Sequence, residues 1–143
     1  MQVFVPYSSP IDVARCLSND PRRLAKQITE ADQILDAIRG KTKWSNHPVV
    51  KMYAHFTPWL WYYRETLNAY RNGDTRTARH LSHQCDTTFK PPFLTDELCD
   101  QHKRRLYTKA PKLYPQFATL GTTEENWYVV DGEIVKYIKG KKI

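Results

Sequence analysis

Side chains that could do acid–base chemistry cluster at helical spacing near the start of the chain. In the segment NDPRRLAKQITEADQIL, which begins at Asn19, they are Arg23, Lys26, Gln27 and Glu30. At about 100° per residue, Arg23, Gln27 and Glu30 lie beside the apolar stripe of a helix, while Lys26 points away from it. A carboxylate on such a boundary is partly withdrawn from water, which shifts its pKa as a general acid or base requires. A boundary cluster of salt bridges is the alternative.

The helix that carries this cluster has clear start and stop signals. Asp20 is a typical N-cap, Pro21 suits the first helical position, and Gly40 suits the end. Its apolar residues recur at alternating spacings of four and three: Leu24, Ile28, Ala31, Leu35 and Ile38. We therefore predict one long amphipathic helix from residue 21 to about residue 39.

The remaining segments predict further helices. Ser9 and Pro10 start a short helix that ends near Leu17, after an extended beginning at residues 3–7. An aromatic-rich helix should start at Asn46 or His47, before Pro48, and continue to Gly73, with a kink or break at Pro58. Most of its aromatic side chains should fill the core, although one or two could stack on a base. Further helices are expected from Thr75 and after the N-cap Thr95, on either side of a rigid linker at 90–93.

The C-terminal residues change from helical to strand character. WYVV and EIVKYI flank Asp131-Gly132, the residue pair typical of a tight type I′ turn. The fold class predicted from the sequence is mainly α, a single-domain helical bundle spanning residues 1–143 with a short β-hairpin at 127–138.

Composition and charge limit the class of protein. The chain has 143 residues, of which 41% are hydrophobic and 26% charged, which excludes a disordered chain. No apolar run approaches the roughly 18 residues of a membrane span, and no secretory signal is evident. Three widely spaced cysteines argue against a disulfide framework: Cys16, Cys85 and Cys99. We therefore expect an intracellular protein without membrane contact. Its net charge of +7 attracts polyanions, of which nucleic acid is the obvious candidate, and a protein that is basic without such a partner is the alternative.

Three segments, in the same order, resemble the pyrimidine-dimer DNA glycosylase superfamily, which includes the phage endonuclease V type and its bacterial and viral relatives. The strongest is the pattern D-x-x-R-L-x-K-Q-x-x-E, which runs from Asp20 to Glu30. The second is Asn46-His47-Pro48, and the third, looser one runs from His102 to Tyr114. The resemblance covers most of the chain.

The resemblance implies a DNA glycosylase that binds double-stranded DNA, flips a damaged or modified pyrimidine nucleotide and breaks its glycosidic bond. Abasic-site cleavage by β-elimination can follow. Glu30 matches the catalytic glutamate, Arg23, Lys26 and Gln27 match positions near it, and His47 matches a histidine near the active face. The enzyme would need no cofactor or metal and would act as a monomer. Its glutamate should open toward a cleft that admits an extruded nucleotide.

The sequence does not decide which group is the nucleophile. In the phage enzymes a small residue exposed by methionine removal supplies the amine, whereas Gln2 is bulky and should keep Met1 in place. The candidates are therefore the amine of Met1, the amine of Lys26, or water. The catalytic candidates are thus Glu30, Lys26 and Met1.

DNA contacts are expected from residues of both halves of the chain. Residues 101–143 hold nine Lys or Arg against four Asp or Glu, and cations fix the backbone of DNA without reading its sequence. The predicted DNA-binding residues are Arg22, Arg23, Gln27, Asn46, His47, His102, Lys103, Arg104, Arg105, Lys109 and Lys112.

Two other classes of protein stay as alternatives. A non-catalytic DNA-binding module of the same fold would keep the basic surface without base release. A zinc-supported helical adaptor would use imidazole and thiol ligands, although their spacings match no standard zinc motif. Those ligands would be His80, His83, Cys85, Cys99 and His102.

Overall fold

The computed structural model describes residues 1–40, 42–88 and 90–143. Over these residues the fold is mainly α with a small C-terminal sheet, which confirms the predicted fold class. The elements are α1 (Pro10–Leu17), α2 (Pro21–Ile38), α3 (Pro48–Tyr53), α4 (Thr57–Arg71), α5 (Thr75–Thr88), α6 (Asp96–Lys109), a 3₁₀ helix (Pro115–Leu120), β1 (Glu125–Val130), β2 (Glu133–Ile138) and β3 (Lys141–Lys142).

Prolines in the first turn set the start of four α-helices, as the sequence predicted for α1, α2 and α3. The N-cap Asp20 accepts a hydrogen bond from the backbone N–H of Arg23. Its second oxygen accepts one from the Tyr114 hydroxyl at 2.8 Å. The start of α2 is therefore tied to the segment that follows α6.

The aromatic segment is broken into two helices. The break lies at residues 54–56, directly before α4, in which Pro58 occupies the first turn. Behind it Trp59 is fully buried between the rings of Tyr53 and Tyr63, with centroids 6.0 and 5.4 Å away. Phe56, Tyr62 and Tyr70 also pack against the core, so most aromatic side chains of the segment contribute to it, as predicted, while Trp61 is exposed. α4 packs against α1, α2 and α5.

The C-terminal sheet is larger than predicted. β1 and β2 pair antiparallel in the register Val130 to Glu133, across a turn in which Asp131 and Gly132 both have positive φ. That geometry fits the type I′ turn expected from the sequence. The two-residue strand β3 pairs with the end of β2, and the 3₁₀ helix precedes the sheet. Neither was predicted, because both are too short to give a periodic signal.

Residues 2–6 are buried, although they belong to no regular element. They run beside α2, α4 and α6, since their backbone hydrogen bonds go to Gln27, Tyr63 and His102 on those helices. Along the described chain, none of the helices is both long and apolar enough to span a bilayer.

Candidate active site

A small cleft forms where the N-terminal residues, α2, α6 and β1 meet. Its volume is about 120 Å³. Glu30, Lys26 and Met1, the three catalytic candidates from the sequence, all line it. The full lining is Met1, Gln2, Phe4, Arg23, Lys26, Glu30, Arg105, Lys109, Asn126 and Tyr128.

Glu30 is held at the cleft by hydrogen bonds to its carboxylate. It accepts one from the Gln27 side-chain amide at 3.2 Å and one from the backbone N–H of Gln2. Burial raises the pKa of Glu30 above its usual range, although the charges of the Met1 amine and Lys26 act in the opposite direction. The carboxyl group can therefore hold a proton at a higher pH than an exposed glutamate can, as a proton donor and acceptor in catalysis must.

The Met1 amine is placed beside Glu30 by a set of tertiary hydrogen bonds. Gln27 accepts from the Phe4 N–H at 2.7 Å. The hydroxyl of Tyr63 donates to the Phe4 carbonyl at 2.8 Å, and that of Tyr128 donates to the Met1 carbonyl at 3.1 Å. Because these partners lie on α4 and β1 as well as α2, the position of the amine depends on the whole fold.

His102 fixes the same segment from the other side. It is 1% exposed, and its Nδ1 accepts the Val5 N–H at 2.8 Å. Burial, together with the nearby charge of Arg105, lowers the pKa of His102 to about 3, so the imidazole is neutral and carries its hydrogen on Nε2. The Gln2 Nε2 atom lies 2.9 Å from His102 Nε2. Since both nitrogens then carry hydrogen, the amide has to turn its oxygen to this position to accept the imidazole N–H.

Four cationic side chains surround the single carboxylate of the cleft: Arg23, Lys26, Arg105 and Lys109. Burial lowers the pKa of Lys109, and the charges of Arg105, Arg23 and Lys26 lower it further. Within the described residues, the buried Nε atoms of Arg23 and Arg105 have no hydrogen-bond acceptor. Such an excess of positive charge is the setting in which a bound phosphate is favourable.

His47 lies at the edge of this cleft. Its Nδ1 accepts the N–H of Val49 as the N-cap of α3, and its ring meets that of Tyr128 edge to face at 5.5 Å. Burial lowers the pKa of His47 to about 4, and the charge of the Met1 amine contributes. The imidazole is therefore neutral and close to the Met1 amine.

Other predicted DNA-binding residues do not line the cleft. Gln27 and His102 are buried in the hydrogen bonds described above, so their side chains are not accessible to DNA and instead position the N-terminal segment. Lys103 pairs with Asp100 at 3.3 Å, and Arg104 donates to the Leu120 carbonyl at 3.0 Å. Three further residues are exposed but do not line the cleft: Arg22, Asn46 and Lys112.

The sequence analysis missed two residues that shape the site. Tyr63 was one aromatic among many on its helix, and nothing local marked its hydroxyl as the partner of Phe4. Tyr128 was assigned only to the hairpin. Their partners are 59 and 127 positions away in the chain, so only the tertiary structure shows their role.

The predicted zinc ligands do not come together. The thiol of Cys85 is buried against the Trp59 carbonyl, and His102 is occupied by Gln2 and Val5. In the part of the chain that the structure describes, no three His, Cys, Asp or Glu side chains are grouped as metal ligands. A larger cavity of about 400 Å³, lined by residues such as Met52, Phe56 and Ile134, contains none of the predicted site residues.

A family model described as pyrimidine dimer DNA glycosylase matches residues 1–69. The matched part holds Met1, Arg23, Lys26, Glu30 and His47. The match confirms the resemblance to this family over these residues. Neither the comparison with curated proteins nor that with solved structures gave a match.

Proposed function

We propose that the protein is a DNA glycosylase that removes damaged or modified pyrimidines from double-stranded DNA. The observation that carries the proposal is the meeting of the Met1 amine, the Glu30 carboxyl and four cationic side chains in one cleft. The family match over residues 1–69 supports the same class of enzyme.

The Met1 amine is the proposed nucleophile. In its neutral form it bonds to C1′ of the deoxyribose as the glycosidic C1′–N bond breaks, and the base leaves with the bonding electrons. The two protons that the amine loses go to the base and to O4′ as the sugar ring opens, which leaves an imine between the Met1 nitrogen and C1′. Glu30 carries these protons, and its carboxylate stabilises the positive charge that develops on the sugar.

Strand cleavage follows from the same intermediate. An imine makes the C2′ proton acidic, so its removal expels the phosphate at C3′ by β-elimination. Water then hydrolyses the imine and restores the amine. Lys26 lines the same cleft and is the alternative amine. We favour Met1 because its backbone is fixed by Tyr128 and its neighbours by Gln27 and His102, whereas the Lys26 side chain is exposed.

The size of the cleft limits what enters it. About 120 Å³ is below the roughly 300 Å³ of small ligand pockets, so the cleft can take part of a deoxyribose with its phosphate but not a whole nucleotide. Nucleotide flipping stays a prediction. The base of a flipped nucleotide would lie at the mouth of the cleft. The cations of Arg23, Arg105 and Lys109 would hold the flanking phosphates.

Base release from a dimer-containing duplex, measured with the Glu30→Gln variant, tests the proposal. We expect a rate at least about 100-fold below that of the wild type, the range for loss of one general acid–base group. Asp36→Asn is the matched control, since Asp36 is exposed on the same helix and lies outside the cleft.

Two results would contradict the assignment. Base release by Glu30→Gln at the wild-type rate would remove Glu30 from the chemistry. Salt-sensitive binding of damaged DNA by the wild type with no base release would favour the non-catalytic DNA-binding module instead.

A further inference from the structure

An exposed tryptophan lies beside the cleft and has no role in the chemistry above. Trp44 is 39% exposed, in the loop between α2 and α3. Single exposed apolar side chains are common on protein surfaces, so the contacts of Trp44 decide whether it has a role. The sequence analysis did not single out this residue.

Ring contacts connect Trp44 to the cleft. Its indole meets the imidazole of His47 at a centroid distance of 6.2 Å, and the same imidazole meets Tyr128 at 5.5 Å. Tyr128 lines the cleft, and His47 is close enough to the Met1 amine for that charge to lower the His47 pKa. Trp44 is thus connected by two successive ring contacts to Tyr128, which lines the cleft.

Hydrogen bonds fix the backbone of the loop that carries Trp44. The backbone N–H of Trp44 donates to Thr42 Oγ1 at 3.1 Å, and its carbonyl accepts the backbone N–H of His47 at 2.8 Å. The hydroxyl of Ser45 donates to the Ala37 carbonyl at 3.2 Å, which ties the loop to the end of α2. Because this backbone is already fixed, less conformational entropy is lost when the Trp44 ring contacts a ligand.

The charges around Trp44 identify the ligand. Lys43 places its ammonium 5.1 Å from the indole centroid, and the neighbouring cleft carries four cationic side chains. A nucleic acid supplies both a phosphate for these cations and a flat base for the indole. Since the cleft is too small for a whole nucleotide, a base outside it needs a surface on which to lie.

We propose that Trp44 stacks on an unpaired base of duplex DNA at the mouth of the cleft and so selects nucleotides that have left the helical stack. This inference rests on DNA as the ligand in the proposed function, but not on any catalytic step. Trp44 would act by binding, and the amine and carboxyl would act on the sugar.

Trp61 provides a matched control. It is 45% exposed, on α4, and its surface neighbours include Asp32 and Asp36. Asp32 is two residues after Glu30, about 200° around the α2 axis, so this tryptophan lies on another side of the helix. These carboxylates are paired with Arg64 and Arg39, so the surface around Trp61 lacks the excess of positive charge that the cleft has.

The experiment measures equilibrium binding to a duplex with one unpaired 2-aminopurine and to its fully paired counterpart. All proteins carry Glu30→Gln so that no chemistry occurs. We expect the parent to prefer the unpaired duplex and to quench its fluorescence by stacking. Trp44→Ala should bind that duplex about 5- to 100-fold more weakly and lose the quenching, Trp44→Phe should lose less, and Trp61→Ala should equal the parent.

Equal binding and quenching by the parent and Trp44→Ala would overturn the stacking proposal. Equal losses of affinity in Trp44→Ala and Trp61→Ala would also overturn it, and so would a parent that does not bind DNA. A different measurement tests the proposed catalysis, and base release that does not depend on Glu30 would contradict it. The two outcomes are therefore distinguishable.

Discussion

The buried neutral imidazole of His102 predicts a specific loss of stability in acid. In the unfolded chain its pKa returns to the ordinary 6.5, while burial lowers it to about 3 in the folded state. The folded protein therefore binds fewer protons than the unfolded chain between these values, so its free energy of unfolding falls as the pH falls through this window.

The size of the effect follows from the unfolded state. Between pH 7 and pH 5 an imidazole with the ordinary pKa goes from about one quarter to almost fully protonated, while buried His102 stays neutral. At about 1.4 kcal/mol per pK unit, the folded state loses about 2 kcal/mol over this range. This figure changes little as long as the folded pKa stays below about 4.

The assay is urea denaturation followed by tryptophan fluorescence at pH 5, 6, 7 and 8. The perturbation is His102→Asn, whose side-chain oxygen can still accept the Val5 N–H but does not titrate. His47 also has a lowered pKa and contributes in both proteins, so the quantity to compare is the difference between wild type and variant. We expect this difference to change by about 2 kcal/mol from pH 7 to pH 5.

The control is His80→Asn, because His80 is exposed on α5. It should retain the pH dependence of the wild type. Parallel curves for wild type and His102→Asn would refute the reasoning, since they would mean that His102 is not held neutral by the segment that carries the Met1 amine.

Three further predictions concern the helix start, the cleft cations and the catalytic carboxyl. Asp20→Ala should lower the free energy of unfolding by about 2 to 3 kcal/mol in chemical denaturation, because it removes an N-cap and leaves the buried Tyr114 hydroxyl without its acceptor; a loss below about 0.5 kcal/mol would contradict this. Lys109→Gln should reduce the slope of log affinity for DNA against log salt by about 1, and an unchanged slope would place Lys109 outside the phosphate contacts. Because burial raises the Glu30 pKa, the wild type should lose stability relative to Glu30→Gln as the pH rises from below 4.5 through the folded pKa, and a constant difference would mean that the carboxyl is not desolvated.

The helices could be predicted from the sequence because their start signals are local. Pro10, Pro21 and Pro48 each follow a residue that can cap a helix, and Asp131-Gly132 specifies its own turn. The spacing within α2 also predicted that Arg23, Gln27 and Glu30 share the boundary of the apolar stripe, but it directed Lys26 away from them, whereas Lys26 lines the cleft with Glu30. These features depend on residues within a few positions of one another.

The rest of the site depends on contacts that no local pattern encodes. Gln27 and His102 were predicted to contact DNA, but both are buried. They bind the backbone of Phe4 and Val5, which are 23 and 97 positions away in the chain. In the run Lys103-Arg104-Arg105, successive residues point about 100° apart on α6, so only one of them can face a given neighbour. Without the position of β1 and α2, the sequence could not select Arg105.

Borohydride trapping on an abasic-site duplex, followed by trypsin digestion and mass spectrometry, tests the central claim most directly. The account predicts a covalent adduct on the peptide of residues 1–15, through the amine of Met1, that persists in the Lys26→Arg variant. An adduct on the peptide that contains Lys26, lost in that variant, would contradict the assignment of Met1, and base release without any trapped adduct would contradict imine chemistry altogether.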